Sequence, residues 1–463
     1  MAGTQSARLD VFENYSIPRA VFTLSLPTVA GSLVSLAYSM ADTYFVGLLN
    51  DPVQTAAVTL AAPVLLAFNA VNNLFGVGCS SMMSRALGRG DYKTLRQSSS
   101  FGFWGSLAGG LIFSILTTLF MAPLLALLGC DATTADPTST YLGWTVSLGA
   151  IPAILNVVCA YMVRSEGSAL HASIGTMSGC FLNIILDPIF IIGFEMGSTG
   201  AALATFLSNC FAVLYFLVYF AVRRGKTLVC IDPRELLHLR GMVVTGVFAV
   251  GVPASVQNIL NVIGSTILNN LAAPYGAAVL AAMGICSKLN MVPFYVMQGM
   301  SQGIMPLVSY TYAAKKPQRM KSAFNFTLKI CMTALISCCV IFFLFSDYAV
   351  RLFIDEPETI AYGSVFLKGM CLSVPLLGLD FLGLGLYQAV GMGSYALFFA
   401  LARKLVLEIP LMYLLNFLVP LYGLPYAQPA AELVMAIAAV FAIRSVFVKA
   451  EKEAQIPIHH DHD

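Results

Sequence analysis

Apolar stretches of about twenty residues recur along the whole chain, broken by short clusters of turn-forming and charged residues. Each is long enough as a helix to cross a hydrocarbon layer of ~30 Å. Setting runs against breaks predicts helices over 20–48, 56–84, 98–125, 140–162, 170–192 and 198–222. Six more follow over 242–272, 277–310, 323–345, 361–387, 395–419 and 425–447. The expected fold class is therefore an all-α integral membrane protein with twelve transmembrane helices.

Composition removes the alternatives. Of 463 residues, 58% are hydrophobic and 10% charged, against about 25% charged in soluble domains. The mean hydropathy of +0.81 agrees, and no room remains for a sizeable soluble domain. A net charge of +2 offers no basic surface for nucleic acid. Most of the 11 cysteines lie inside apolar stretches without a CxxC pair, as small buried hydrophobes. Met1 to Pro18 lacks the apolar core of a secretory signal, so the first helix is expected to direct insertion. Lys and Arg gather on alternate loops: Arg8 and Arg19, then Arg85, Arg89, Lys93 and Arg96, then Arg164, then the 223–241 segment, then Lys315 to Lys321, then Arg444 to Lys452. The opposite loops offer Arg351 alone and collect acids, so both termini are expected in the cytoplasm of a multi-pass plasma (inner) membrane protein.

The chain also repeats itself. Leu26-Pro27 recurs as Val252-Pro253, an offset of 253 − 27 = 226. Gly167-Ser168 recurs as Gly393-Ser394 at the same offset, and the basic turn after Ser84 is echoed after Ser309. Two pseudo-symmetric six-helix bundles follow: an N-lobe over 1–222, a linker over 223–241, a C-lobe over 242–447 and a tail over 448–463. Both lobes enter from one side, leaving a cleft between them.

Ionisable groups inside spans are costly and need a reason. The N-lobe buries Asp42 and Asp187, whose counterparts at the same offset are Leu268 and Tyr413. Asp42 closes a stripe with Ser35, Tyr38 and Ser39, and Asn183 shares a helix face with Asp187. Such oxygens can hold Na⁺ or share a proton; alternatively, Asp187-Pro188 simply ends a helix near a membrane face. In the C-lobe, Lys404 and Glu408 are placed to neutralise each other, whereas Lys288 and Asp380 lack local partners and are candidates to meet in the cleft. Asn69, Asn72, Asn73, Asn156, Gln257, Asn258 and Asn261 either line a polar cavity or bond helix to helix. Gly225-Lys226-Thr227 lacks the earlier glycine of a P-loop, and no nucleophile elbow or HExxH occurs, so an enzyme is not expected. No cofactor is expected. His459, His460 and His462 suggest a solvated terminus.

Three segments carry a family resemblance: PTVAGSLVSLAYSMADTYFVG in the first helix, GCSSMMSRALGRGD after the second, and RSEGSALHASIGTMSGCFLNIILDPIFIIGF continuing into GSTGAALAT. Over essentially its whole length the chain resembles multidrug and toxic compound extrusion (MATE) transporters, particularly the prokaryotic DinF-like branch. The resemblance implies a V-shaped cavity between two lobes and efflux of amphipathic, often cationic compounds driven by H⁺ or Na⁺. It assigns Asp42, Asn183, Asp187 and Thr205 to a cation and proton cluster, and Pro27 to the point where the first helix bends. Tyr38 and Asn156 match cavity positions. Another branch keeps an acid in the tenth helix within about a turn of Asp380. The expected partners are small amphipathic molecules and membrane lipid, with the protein a monomer; the alternative function is a flippase for lipids or lipid-linked oligosaccharides.

Overall fold

In lipid a backbone must satisfy its own polar groups, and helices do so within one segment. The computed structural model describes residues 9–49 and 51–455; Arg8, His459, His460 and His462 lie outside the described residues. The N-terminal half contains α1 (Ile17–Gly47), α2 (Pro52–Gly88), α3 (Tyr92–Leu119), α4 (135–165), α5 (Ala169–Gly193) and α6 (Gly197–Val222). The C-terminal half contains α7 (Gly241–Ala272), α8 (Ala277–Ala313), α9 (Pro317–Leu344), α10 (Pro357–Val390), α11 (393–418) and α12 (Leu424–Gln455). Local chemistry sets the ends. Asp51 accepts from the Val53 N–H at 2.9 Å and Asp91 from the Thr94 N–H at 3.0 Å, each capping the helix that follows. Gly391, at φ 83°, stops α10 in a conformation that suits glycine.

Among the described residues, 10 helices are long and apolar enough to span on those grounds alone. The other two crossings are irregular. α4 bends by 46° after a π turn at Gly143–Leu148. α11 holds Arg403, Lys404 and Glu408 in a second π turn, Ala402–Glu408. A third, Ile189–Gly193, finishes α5. Hydropathy does not mark these turns, because the residues in them remain apolar or lie within an apolar stretch.

The two halves meet through α2 against α7 and α1 against α8. Close approach depends on missing side chains. A Cβ on Gly251 would lie 2.0 Å from the Leu74 carbonyl oxygen, and one on Gly78 2.4 Å from that of Val247. Gly299 and Gly303, four apart on α8, likewise let Val29 and Ser25 of α1 lie against its backbone. Ser255 donates to the Ala70 carbonyl at 2.5 Å and Ser81 to that of Gln388 at 2.6 Å.

A helical turn over 9–13 seals the face that carries the termini. Phe12 stacks on Tyr310 at 4.9 Å. Glu13 accepts from Lys316 at 2.7 Å and Tyr310 at 2.8 Å, and these two bonds hold its carboxyl below the usual range. Arg319 donates to the carbonyls of Phe12 and Tyr15. The linker is strapped to the N-terminal half. Ser100 and Trp104 donate to the carbonyls of Asp232 and Ile231, and Glu166 accepts from Thr227 and the Leu228 N–H.

Glycine packing therefore holds this face shut. Gly251→Val should loosen it by about 1–3 kcal/mol through overpacking. Labelling of Cys79, buried on α2 against Gly102 of α3 in a cluster with Val243 and Val247 of α7, by a polar maleimide in detergent should rise at least about fivefold. Unchanged labelling would mean that the α2–α7 contact does not control closure.

Candidate functional site

Away from the sealed face the halves enclose a cavity of about 880 Å³ that reaches Asn269 at the end of α7 and Leu424 and Pro425 at the start of α12. Amides and hydroxyls dominate its polar lining: Ser32, Ser35, Asn69, Asn72 and Asn73 from one half, Gln257, Asn258, Asn261, Asn290 and Gln298 from the other. Phe294, Tyr295 and Phe381 supply aromatic faces. A large, mostly uncharged pocket of this kind suits adaptable binding of amphipathic molecules. Its floor holds Arg164, which the loop pattern assigns to solvent. The structure buries Arg164 instead, over the Tyr161 ring at 5.3 Å and donating across the lobes to Gln302 at 3.3 Å.

Asn69, Asn73, Gln257 and Asn261 thus stand on the cavity wall, while Tyr38, Asn156, Lys288 and Asp380 are not among its lining residues. The corrections are geometric. Tyr38 is four residues from Asp42 on the same face of α1 and turns with it into the N-terminal half. Asn156 donates to Asn209 at 3.3 Å, and Asn209 in turn donates to the Thr205 carbonyl at 3.0 Å. Lys288 is exposed, one residue past the lining residue Ser287 and so rotated off that face. Asp380 is buried against Arg403 at 3.5 Å. Lys288 and Asp380 therefore do not meet.

Behind α1, the N-terminal half holds a polar cluster apart from the cavity. Asn183 donates to Asp187 at 2.8 Å and accepts from the Thr205 N–H at 3.1 Å. The Tyr38 hydroxyl meets Thr205, with Asp42 and Asp187 both in electrostatic reach. Asp187 is 0% exposed, and its helix runs on as the Ile189–Gly193 π turn. It therefore does not end a helix at a membrane face. One Asp42 carboxylate oxygen is shielded and accepts no hydrogen bond. No Lys or Arg is paired with either acid among the described residues. Two carboxylates so placed need a proton or a small cation, and the neutral oxygens of Asn183 and Thr205 suit a hard ion.

Sequence reasoning missed two members. Tyr141, buried within electrostatic reach of Asp42, Tyr38 and Asp187, lies just before the first π turn. Asn209 is four residues from Thr205 on α6, a spacing that marks a shared face. The polar cluster also makes a stability statement. Asn183→Ala strips Asp187 of its amide partner in a dry site and should cost about 1–3 kcal/mol, read as a fall in the unfolding midpoint in detergent. An unchanged midpoint would show that this amide does not support Asp187.

Comparison with known proteins agrees with this architecture. The MatE family profile matches twice, over residues 27–189 and 253–414. The multidrug export protein MepA of Staphylococcus aureus (strain MSSA476) is 32% identical over 436 residues, covering 94% of this chain and 95% of that protein. A MATE crystallised in complex with MaL6 superimposes with a TM-score of 0.91 at 24% identity, over 96% of this chain and 99% of the other. The outward-facing conformation of a multidrug resistance MATE family transporter of the MOP superfamily gives 0.90 at 23% identity, over 96% and 98%. Twelve membrane helices in this arrangement, a family profile matching both halves and relatives aligned nearly end to end lead to one conclusion: the chain belongs to the MATE family, which is made of transporters, not enzymes.

Proposed function

We propose that the protein is a secondary active multidrug exporter that moves amphipathic, often cationic compounds outward in exchange for inward H⁺ or Na⁺. The observation that carries this reading is the pair Asp42 and Asp187, two acids without a basic partner, one with an orphaned oxygen, set behind the helix that also walls the cavity. An ion drives a conformational change only by binding the two states differently. Asp42 belongs to α1, the helix that also presents Thr28, Ser32 and Ser35 to the cavity. Filling or emptying the cluster therefore acts on the wall that substrate touches. Pro27, inside α1, removes one backbone hydrogen bond and is the place for that helix to flex.

The positive-inside rule puts the sealed, basic face in the cytoplasm of a bacterial plasma membrane, so the structure is outward-open. Both termini are cytoplasmic, and the transporter works as a monomer, with membrane lipid as its surroundings and no nucleic acid partner. A lipid or lipid-linked oligosaccharide flippase fits less well. Its cleft should be basic, whereas two of the three cations that line this cavity are neutralised, Lys404 by Glu408 and Arg403 by Asp380 and Glu432, leaving Arg164 on the floor.

The test is transport in proteoliposomes under imposed H⁺ or Na⁺ gradients, with cationic dyes, fluoroquinolones and lipids as cargo. Asp42→Asn and Asp187→Asn should still bind cargo in detergent yet lose gradient-driven transport. Asn183→Ala or Thr205→Ala should be mild under a proton gradient and severe under a sodium gradient, because only Na⁺ needs their oxygens. Wild-type rates in Asp42→Asn would overturn the coupling mechanism. For orientation, Cys230 in the linker should react with an impermeant thiol reagent from the cytoplasmic side alone, and Cys130 from outside alone. Labelling of both from one side would refute the topology.

A further inference from the structure

The C-terminal half holds a second polar chamber, which the coupling scheme above leaves unused. It is built on α7, α10, α11 and α12, the pseudo-symmetric counterparts of α1, α4, α5 and α6 around Asp42. Arg403 donates to Asn261 at 3.1 Å and lies 3.5 Å from both Asp380 and Glu432. Lys404 donates to Glu408 at 2.6 Å. Its ammonium rests against Gly264, where a Cβ would come within 3.2 Å. All five ionisable groups are buried, the most exposed being Lys404 at 8%.

With every group ionised the charges do not balance. Three carboxylates face two cations, and each acid keeps one shielded oxygen that accepts nothing: Asp380 Oδ1, Glu408 Oε2 and Glu432 Oε2. A buried ion-pair network that served structure alone would close its charge and fill its acceptors. Position matters as well. Glu408, Lys404 and Arg403 stand on the cavity wall, while Asp380 and Glu432 are not among its lining residues.

We propose that this chamber is the subsite for the cationic pole of a transported amphiphile, with Glu408 as the contact. The proposal rests on the exporter reading and adds to it a substrate site distinct from the ion site in the other lobe. With all three acids ionised the chamber is short of one elementary positive charge, which a proton on one buried acid fills when no ligand is bound. A singly charged pole supplies it, a neutral head group gains nothing there, and a second positive charge meets Lys404 and Arg403. Lys404 is thereby the residue that sets the charge preference.

The experiment is equilibrium binding in detergent, without gradients, to three fluorescent probes that share one aromatic body and carry zero, one or two quaternary ammonium groups. The wild type should bind the singly charged probe tightest. Glu408→Gln should weaken that probe about thirtyfold or more, as expected when a buried charged partner is removed, and leave the neutral probe unchanged. Glu408→Asp, which keeps the charge, should retain the preference at reduced affinity. Lys404→Met should shift the preference toward the doubly charged probe. A Glu408→Gln protein that binds all three like wild type, a Glu408→Asp protein that loses the preference, or an unmoved preference in Lys404→Met would overturn the subsite. Failure of the wild type to bind any probe would instead overturn the exporter reading beneath it.

Discussion

A helix in hydrocarbon has no water to fall back on, so every interruption of its hydrogen-bond ladder must be answered by protein. The three π turns among the described residues all fall where that answer is available. One follows Tyr141, one follows Asp187, and one contains Arg403, Lys404 and Glu408. An extra residue in a turn resets the rotation of one part of a helix against the other, and each of these breaks adjoins polar side chains buried inside a lobe.

The duplicated architecture has been put to two different chemical uses. Among the described residues, no Lys or Arg pairs with the acids of the N-terminal chamber. Its C-terminal counterpart keeps Arg403 and Lys404 resident among three acids. Resident counter-charges cannot follow a gradient, whereas a proton or a metal ion can. This chemical contrast separates a site suited to energy coupling from one suited to holding charge in place.

Span number and the family were legible in the sequence, because hydropathy and the LNIILDPIF segment depend on local composition or spacing. The partnership of Asn183 with Asp187 was legible for the same reason, being four residues on one helix. Tyr141 was not, since Asp42 lies on another helix and nothing in the local spacing links the two. The placements of Lys288 and Asp380 also required the fold. Rotation by a single residue decides whether a side chain faces the cavity, and Asp380's partner Arg403 lies on another helix. Arg164 looked like a loop cation because basic residues near span ends usually are; burial over the Tyr161 ring makes it part of the cavity floor.

The seal over the basic face joins Glu13 to Tyr310, 297 residues later in the chain. During synthesis the first turn must therefore wait for its partners. At about 5–20 residues per second the interval is roughly 15 to 60 s, during which Phe12 has no ring to stack on and the N-terminal half is already crossing the bilayer. The earliest folded form of the protein is then a half-transporter with an unsealed end, and closure of that face is among the last events of biogenesis.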